Sequence, residues 1–179
     1  MDGGPDGGCG GQDAVSVIVA NDDPGRPGRS DRLDGDGIRR ILADQQVDPY
    51  VIYDDARCSF ADRMFRPVVH EDVEDIRHWL LDRWPDPPRF RSEVFDCDDF
   101  AIMFKNFATL FTYYRQEPLP LAIGIAWGVF PQINPDLHAL NFAITPNNKA
   151  VWFEPQDLLQ PGGTWRTGVR PYSITRIVC

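Results

Sequence analysis

The stretch of sequence that decides the fold is CDDFAIMFKNFATLFTYY, residues 97–114. Its aromatic residues recur at intervals of three and four, which is the spacing of one face of an α-helix. These residues are Phe100, Phe104, Phe107, Phe111 and Tyr114. A helix with so broad an apolar face is typical of the centre of a domain, where other elements can cover it. The pattern therefore predicts a central helix over residues 97–114.

The segments on either side of this helix have different patterns. Upstream, the apolar spacing predicts helices over residues 37–46 and 71–83, with an extended segment over 50–53. Downstream, short apolar runs separated by turn residues predict strands over 121–130, 138–145, 150–154 and 172–178. The sequence PNNK, residues 146–149, predicts the turn of a hairpin between the second and third of these strands. Helices followed by an antiparallel sheet indicate the α+β class.

The first 37 residues differ in composition from the rest of the chain. They contain 10 of the 15 glycines, and 8 aspartates against 3 arginines, so −5 of the net charge of −9 lies there. Such a segment buries too little apolar surface to fold by itself. We therefore predict a Gly/Asp-rich, largely disordered tail or linker over residues 1–37, containing one short strand over 15–20. A single domain is predicted over residues 38–179.

Composition also excludes several classes of protein. No basic patch is large enough to indicate nucleic-acid binding. No run of about 18 apolar residues predicts a membrane span, and the early apolar run over 14–20 is too short for a secretory signal. The cysteines are Cys9, Cys58, Cys97 and Cys179, and no two of them form a C-x-x-C pair. A zinc ribbon and a disulfide framework are therefore not expected, and a reduced, cytoplasmic setting is predicted.

Three residues have the types and the order that nucleophilic catalysis by cysteine requires. Cys97 opens the central helix, where unpaired N–H groups and the helix dipole favour a thiolate. His138 begins a strand whose same-side neighbours are apolar, so this face is predicted to pack against the central helix. Glu154 ends the next strand. An imidazole that takes the thiol proton, oriented by a third polar group, would complete the machinery.

Each of these residues also has an ordinary structural interpretation. Cys97 could be a buried, unreactive cysteine, which is a common residue. His138 could be a strand-end histidine with satisfied hydrogen bonds, and Glu154 could be a solvated residue at the start of a turn. These alternatives stay open at the level of the sequence.

Asp157 is a rival of Glu154 for the third role. A hairpin folded at Asn147-Asn148 pairs residues whose numbers sum to 295. That register places Asp157 opposite His138, whereas Glu154 would need strand twist or a bulge to reach the imidazole.

Three short segments carry a resemblance to a known family. They are FDCDDFA (residues 95–101), HALNFAI (138–144) and WFEPQ (152–156). They resemble the agglutinin C-terminal domain, which is the papain-like cysteine protease module attached to a ricin-type lectin domain in certain fungal agglutinins. The resemblance covers roughly residues 50–178, and no lectin module is seen beside it, so glycan targeting is not expected.

The resemblance implies a papain-like α+β fold, with helices that include a central catalytic helix packed on an antiparallel sheet. By resemblance, Cys97 would be the nucleophile, His138 the base and Glu154 the orienting acid. Gln156 and Phe90 would line the substrate cleft, and the enzyme would be activated by calcium.

A separate physical reason also suggests calcium. Asp96, Asp98 and Asp99 surround the cysteine, and carboxylates beside a thiol raise its pKa. A bound dication would cancel this charge, and carboxylate oxygens suit calcium. Acidic residues in a first helical turn are also favourable by themselves. Asp98 and Asp99 are therefore candidate calcium ligands, with a plainly capped helix as the alternative.

The sequence thus predicts a cysteine-dependent, peptidase-like hydrolase that works through a thioester intermediate on a peptide or protein substrate. The same layout serves transglutaminase-like acyl transfer to an amine, or an amidase. The alternative of a different class is a non-catalytic, papain-like module for binding or dimerisation, in which Cys97 is silent. A homodimer is a candidate assembly in either case.

Overall fold

The computed structural model describes residues 32–89, 91, 95–160, 169 and 171–179. Most of the predicted tail, including the predicted strand over 15–20, lies outside the described residues. The described elements, in chain order, are β1 (Leu33–Asp34), α1 (Gly35–Asp44), α2 (Pro49–Ile52), β2 (Cys58–Ser59), β3 (Met64–Phe65), α3 (His70–Arg83), α4 (Cys97–Tyr114), β4 (Ile123–Phe130), β5 (Asn134–Ile144), β6 (Ala150–Phe153), α5 (Pro155–Leu159) and β7 (Ser173–Val178).

The larger sheet has five strands in the order β2-β7-β4-β5-β6. Strand β2 runs parallel to β7, and the other neighbours are antiparallel. The α+β class is confirmed, because helices precede a sheet that is antiparallel apart from its short first edge. Within the described residues, no helix is both long and apolar enough to cross a lipid bilayer.

Residues 33–37, which the sequence assigns to the tail, form β1 and the start of α1. Leu33 is 9% exposed and pairs with Phe65 in a two-stranded sheet. Helix α1 follows at once, because the Asp34 side chain accepts a hydrogen bond of 2.7 Å from the Gly37 amide and caps the helix. The Gly-Asp-Gly sequence that suggested a linker is therefore the first turn of a helix.

Residues 49–52 form helix α2, although residues 50–53 were expected to be extended. Asp48 accepts a hydrogen bond of 2.9 Å from the Tyr50 amide, and Pro49 occupies the first helical position. Proline suits that position, because its missing N–H has no partner there in any case. This pair of start signals outweighs the β-propensity of the segment that follows.

Helix α4 has the predicted bounds and packs on one face of β4 and β5. Asn141 of β5 is fully buried, and its Nδ2 donates a hydrogen bond of 3.0 Å to the Ala101 carbonyl of α4. Phe153, which pairs with Asn141, lies against Phe104 of α4 with 5.2 Å between ring centroids. Helix α4 is therefore held by the face of β5 that carries Asn141.

The prediction that the His138 face of β5 packs on α4 is wrong, because His138 and Asn141 point to opposite faces of the strand. Residues 138–144 are all buried, so both faces of β5 are covered. A strand of this kind has no polar side that distinguishes one face from the other.

Two glycines in β4 are required by the close approach of neighbouring atoms. A Cβ atom added to Gly128 would lie 2.2 Å from the backbone oxygen of Ser173 in β7. A Cβ atom at Gly124 would lie 2.4 Å from the ring of Phe142 in β5. Gly128 pairs with His138, so the tight contact between β4 and β7 helps to fix the position of the strand that carries the histidine.

Candidate functional site

The N-terminus of α4 presents a single cysteine. Cys97 is the first residue of the helix and is partly buried. Asp96 precedes the helix, and its backbone amide donates a hydrogen bond of 3.2 Å to Oδ2 of Asp99. This contact ties the first helical turn to the residue that precedes it, as in a capping box. The sequence places Cys97 here because its acidic neighbours suit a helix start.

The Cys97 thiol lies against the backbone of Ala139, the residue that follows His138. Burial raises the pKa of this thiol, whereas a hydrogen bond with the Ala139 backbone lowers it. The charges of Asp96, Asp98 and Glu154 raise it further. The net direction is upward, so the position at a helix N-terminus does not produce a thiolate without help from another group.

The other described cysteines occupy a different environment. Cys58 and Cys179 are free thiols that are fully buried in the main hydrophobic core. Burial raises the pKa of Cys179 to about 12. Cysteines held this way act as small apolar residues. Among the described residues, Cys97 is therefore the one cysteine with access to solvent.

His138 and Glu154 form a buried pair. His138 Nε2 lies 2.5 Å from Glu154 Oε2, and the two residues are 8% and 7% exposed. The second carboxylate oxygen, Oε1, accepts a hydrogen bond of 3.0 Å from the Gln156 amide. Glu154 thus engages Nε2 of the imidazole, and an imidazole that is held at one nitrogen can exchange a proton through the other.

The hairpin register explains why Glu154 rather than Asp157 meets the imidazole. The observed pairs of β5 and β6, such as Asn141 with Phe153, have residue numbers that sum to 294. The predicted sum of 295 is therefore wrong by one. The turn has three residues rather than two, because Asn148 adopts a left-handed conformation with φ of 55°. A shift of one residue moves every side chain of β6 to the other face.

This shift in register changes the face of the sheet toward which Glu154 points. In the observed register Glu154 comes one residue after Phe153 and falls on the face of the sheet that carries His138. The predicted register placed Glu154 on the opposite face. Strand β6 ends at Phe153, and Glu154 then caps the short helix α5. The change from strand to helix frees the carboxylate to turn toward His138. Asp157 lies in the first turn of α5.

The two predicted cleft residues have different outcomes. Gln156 is placed next to the pair through its backbone amide, which donates to Glu154. Phe90 lies outside the described residues. The structure therefore brings His138, Glu154 and the Gln156 amide together, and Cys97 contacts the backbone of Ala139, the residue next to His138.

The acidic residues around Cys97 are arranged differently from the predicted calcium site. Atoms of Asp96, Cys97 and Asp98 that could bind a metal lie within 4.8 Å of one another. A hydrogen bond with Asp96, together with burial, raises the pKa of Asp98. Asp99 instead accepts the Asp96 amide. The structure thus groups Asp98 with Asp96, whereas the sequence grouped it with Asp99.

These groups fit a hard dication only in part. The two neighbouring carboxylates suit calcium, since both supply oxygen ligands. The Cys97 sulfur is a soft ligand and does not suit calcium. Asp96 and Asp98 would therefore hold the ion, and calcium stays a prediction for this site.

Sequence reasoning missed the residues that support the site. Asn141 joins α4 to the sheet through Ala101 and also donates a hydrogen bond of 3.2 Å to the Gly124 carbonyl. Trp127 packs beside Cys97 on the small cluster formed by Ala101, Ile125 and Ala139. An asparagine within an otherwise apolar strand was the available signal for the first of these, because a buried amide needs partners.

Comparisons with known proteins identify the fold. No family model matches the chain, and no curated protein matches it. One similar solved structure is described as "PSL1a-E64 complex", with 18% identity, a TM-score of 0.58, and coverage of 83% of this chain and 51% of that chain. Another is Polyporus squamosus lectin bound to the human-type influenza-binding epitope Neu5Aca2-6Galb1-4GlcNAc, with 20% identity, a TM-score of 0.57, and coverage of 83% and 49%.

At this level of identity the comparison establishes the fold alone. The fold is one that occurs in a fungal lectin, which agrees with the lectin side of the resemblance described above. The chain spans about half the length of these structures. What the whole neighbouring proteins do is therefore a matter of proposal for this chain.

Proposed function

We propose that this domain is a cysteine-dependent acyl-transfer enzyme that hydrolyses a peptide or a related amide. The observation that carries this proposal is the buried contact of 2.5 Å between His138 Nε2 and Glu154 Oε2, together with a Cys97 thiol that contacts the backbone of Ala139, the residue next to His138. A papain-like arrangement of nucleophile, base and orienting acid accounts for these positions. The resemblance to the agglutinin C-terminal domain supports the same roles.

The reaction follows from the two nitrogens of His138. Glu154 holds Nε2, so Nδ1 accepts the proton of the Cys97 thiol as sulfur attacks the substrate carbonyl. The new S–C bond forms, the C–N bond breaks, and His138 returns the proton to the leaving amine. Water then attacks the thioester, His138 takes a proton from that water, and the acid product leaves with the thiol restored. If an amine replaces water in the second step, the product is a new amide.

Because the pKa of Cys97 is raised, the imidazole of His138 has to act as a base during the reaction. A thiol that burial and carboxylates keep protonated needs a base during the attack, because only the thiolate is a good nucleophile. Neutralising the nearby carboxylates would also favour the thiolate, because it would lower the pKa of Cys97. Calcium held by Asp96 and Asp98 would supply that neutralisation.

The neighbouring structures bear on the proposal in two ways. E64 is an epoxide that reacts with thiols, so a complex of PSL1a with E64 supports a reactive cysteine in this fold. A lectin bound to a sialylated glycan supports binding instead. Because both neighbours are lectins, their names favour the second candidate function, a non-catalytic binding module, over hydrolysis.

That second candidate would make the buried His138–Glu154 pair a structural contact and leave Cys97 silent. Its partner would be a glycan or a second copy of the chain. The chain spans only half of each neighbour, so glycan binding could belong to the rest of those proteins. The site geometry is therefore the stronger guide for this domain.

One experiment separates the two candidates. The protein is incubated with a library of unstructured peptides, and new peptide termini or new amide links are counted by mass spectrometry. Hydrolysis predicts products that disappear in Cys97→Ser and His138→Ala, whereas Asp82→Asn, a change on the exposed part of α3, keeps them. Binding of a glycan panel that is equal for the wild type and Cys97→Ser, without peptide products, would support the binding module.

A further inference from the structure

Beyond the N-terminus of α4, the sheet face that this helix covers is only partly buried, as judged from the residues that the structure describes. Residues 123–126 of β4 are all buried, but from Trp127 onward the burial alternates, with Trp127 and Val129 only partly covered. Leu137, which pairs with Val129 in β5, is 62% exposed. This pattern begins where α4 begins, at Cys97. Cys97 therefore lies at the edge of a partly exposed stretch of the sheet, which includes Trp127, Val129 and Leu137.

A cation, the guanidinium of Arg176, is held in place beside this partly exposed stretch. The guanidinium of Arg176 in β7 lies over the Trp127 indole, 5.5 Å from the ring centroid. A β-bulge lies here, because the register of β4 and β7 shifts between Trp127 and Gly128 and leaves Thr175 as the extra residue. The Thr175 hydroxyl donates a hydrogen bond of 3.1 Å to the Trp127 carbonyl and secures the bulge. Bulges commonly redirect side chains next to active sites.

Arg176 is exposed, and it forms no ion pair with a carboxylate among the described residues. Asp96 and Asp98 also lie close to Cys97, since atoms of these three residues that could bind a metal are within 4.8 Å of one another. Cys97 and Trp127 pack against the same cluster, so the surroundings of the nucleophile hold acidic groups at the helix start and a cation stacked on Trp127. A substrate that places a negative charge near Asp96 is disfavoured, and one that places it on Arg176 is favoured.

We propose that Trp127 and Arg176 form a substrate subsite that selects peptides with an acidic side chain next to the scissile bond. This assignment rests on the proposed hydrolase function and deepens it. The carboxylate of a substrate Asp or Glu accepts two hydrogen bonds from the planar guanidinium. The apolar part of that side chain lies on the indole, which offers apolar surface beside the charge.

The first test uses small thiol reagents in place of substrate. Iodoacetate and iodoacetamide both transfer a two-carbon group to sulfur with loss of iodide, but only iodoacetate is negatively charged. The rate with iodoacetate divided by the rate with iodoacetamide is measured at Cys97. This ratio is expected to fall roughly threefold in Arg176→Gln, which is the size of effect expected for one exposed charge. Arg176→Lys, which keeps the charge, is expected to recover most of the ratio.

A matched control exists on α3. Arg83 is also exposed and stacks on a tryptophan, with 4.0 Å from its guanidinium to the ring of Trp79. Trp79 contacts Phe107 near the C-terminal half of α4, about 15 Å along the helix from Cys97 at 1.5 Å per residue. Arg83→Gln removes the same kind of contact far from the nucleophile, so the rate ratio is expected to stay unchanged.

The second test uses peptide pairs that differ only by Glu or Gln beside the scissile bond. Arg176→Gln is expected to lower kcat/KM for the Glu peptide about tenfold, as for one lost hydrogen bond to a charged group, and for the Gln peptide less than twofold. Equal losses on both peptides, or no change in the reagent ratio while Cys97 remains reactive, would overturn the subsite alone. A Cys97 that reacts no faster in the folded chain than in the denatured chain would overturn the hydrolase proposal itself.

Discussion

Glu154 reaches His138 from a position just beyond the end of the strand that pairs with the histidine strand. The contact between Glu154 Oε2 and His138 Nε2 is 2.5 Å long, although β6 ends at Phe153. A carboxylate on a regular strand would be fixed by the ladder. At a helix cap it is free to turn, and it uses one oxygen for the Gln156 amide and the other for the imidazole. The short helix α5 thus positions the third member of the site.

The first prediction concerns this carboxylate. Glu154→Gln keeps the shape of the side chain but removes the charge that stabilises a protonated imidazole, so turnover is expected to fall at least about 100-fold. Asp157→Asn, one turn further along α5, is expected to change turnover less than twofold. Steady-state rates with a peptide substrate, together with melting temperatures, check this. If Asp157→Asn caused the larger loss at unchanged stability, Glu154 would not be the orienting acid.

The second prediction concerns the pH dependence of Cys97. The charges of Asp96 and Asp98 raise the pKa of this thiol, so removing one of them lowers it. Asp98→Asn is therefore expected to move the pH profile of Cys97 alkylation to lower pH, by roughly half a unit, which corresponds to about 0.7 kcal/mol. The rate is measured by mass spectrometry of the Cys97 peptide from pH 6 to pH 10. Asp82→Asn on α3 is the control, and a shift to higher pH in Asp98→Asn would contradict the electrostatic account.

The third prediction concerns calcium. If Asp96 and Asp98 hold the ion, chelator-treated protein is expected to melt at a higher temperature after calcium is added, with about 2.7 kcal/mol of added stability at 100 times the dissociation constant. Asp98→Asn is expected to abolish this shift. Asp99→Ala removes the acceptor for the Asp96 amide, so it lowers the melting temperature but keeps the calcium shift. A wild-type protein that shows neither a thermal shift nor a change in activity would rule out the ion at this site.

The fourth prediction concerns the amide that joins the helix to the sheet. Asn141→Leu has a similar volume but removes the hydrogen bonds to the Ala101 and Gly124 carbonyls. The free energy of unfolding is expected to fall by about 1–3 kcal/mol. Asn106→Leu, on the exposed side of α4, is the matched control and is expected to change it by less than about 0.5 kcal/mol. Equal effects of both substitutions in denaturant titrations would contradict this role for Asn141.

The central helix could be predicted because its spacing is a property of the sequence itself. The aromatic stripe from Phe100 to Phe111 requires a buried face, and α4 runs from Cys97 to Tyr114 as that stripe indicates. The start of the helix could also be predicted, since an aspartate precedes the first turn. Neighbouring strands were recognisable for the same local reasons.

The register and the packed face of the sheet could not be predicted. Whether the hairpin turn has two residues or three depends on the left-handed conformation of Asn148, and this shifts Glu154 from one face to the other. The face of β5 that meets α4 was hidden because residues 138–144 are apolar or buried on both sides. These features depend on contacts between distant segments, which local patterns do not encode.

The acidic residues show a third kind of limit. Asp98 and Asp99 were equivalent as sequence neighbours. In the structure Asp99 accepts a hydrogen bond from the Asp96 amide, whereas Asp98 forms a side-chain hydrogen bond with Asp96 that raises its pKa. Adjacent residues on a helix point 100° apart, so the geometry of the first turn separates groups that composition treats alike.

The reactivity of Cys97 distinguishes a catalytic site from a binding module most directly. The decisive measurement is the rate at which an epoxide or iodoacetamide labels Cys97 in the folded protein, compared with the same thiol in denaturant and with His138→Ala. A catalytic site predicts stoichiometric labelling of Cys97 at least ten times faster than in the denatured chain, and loss of that acceleration in His138→Ala. Labelling that is no faster than in denaturant, and unchanged by His138→Ala, would contradict the catalytic account and favour the binding module.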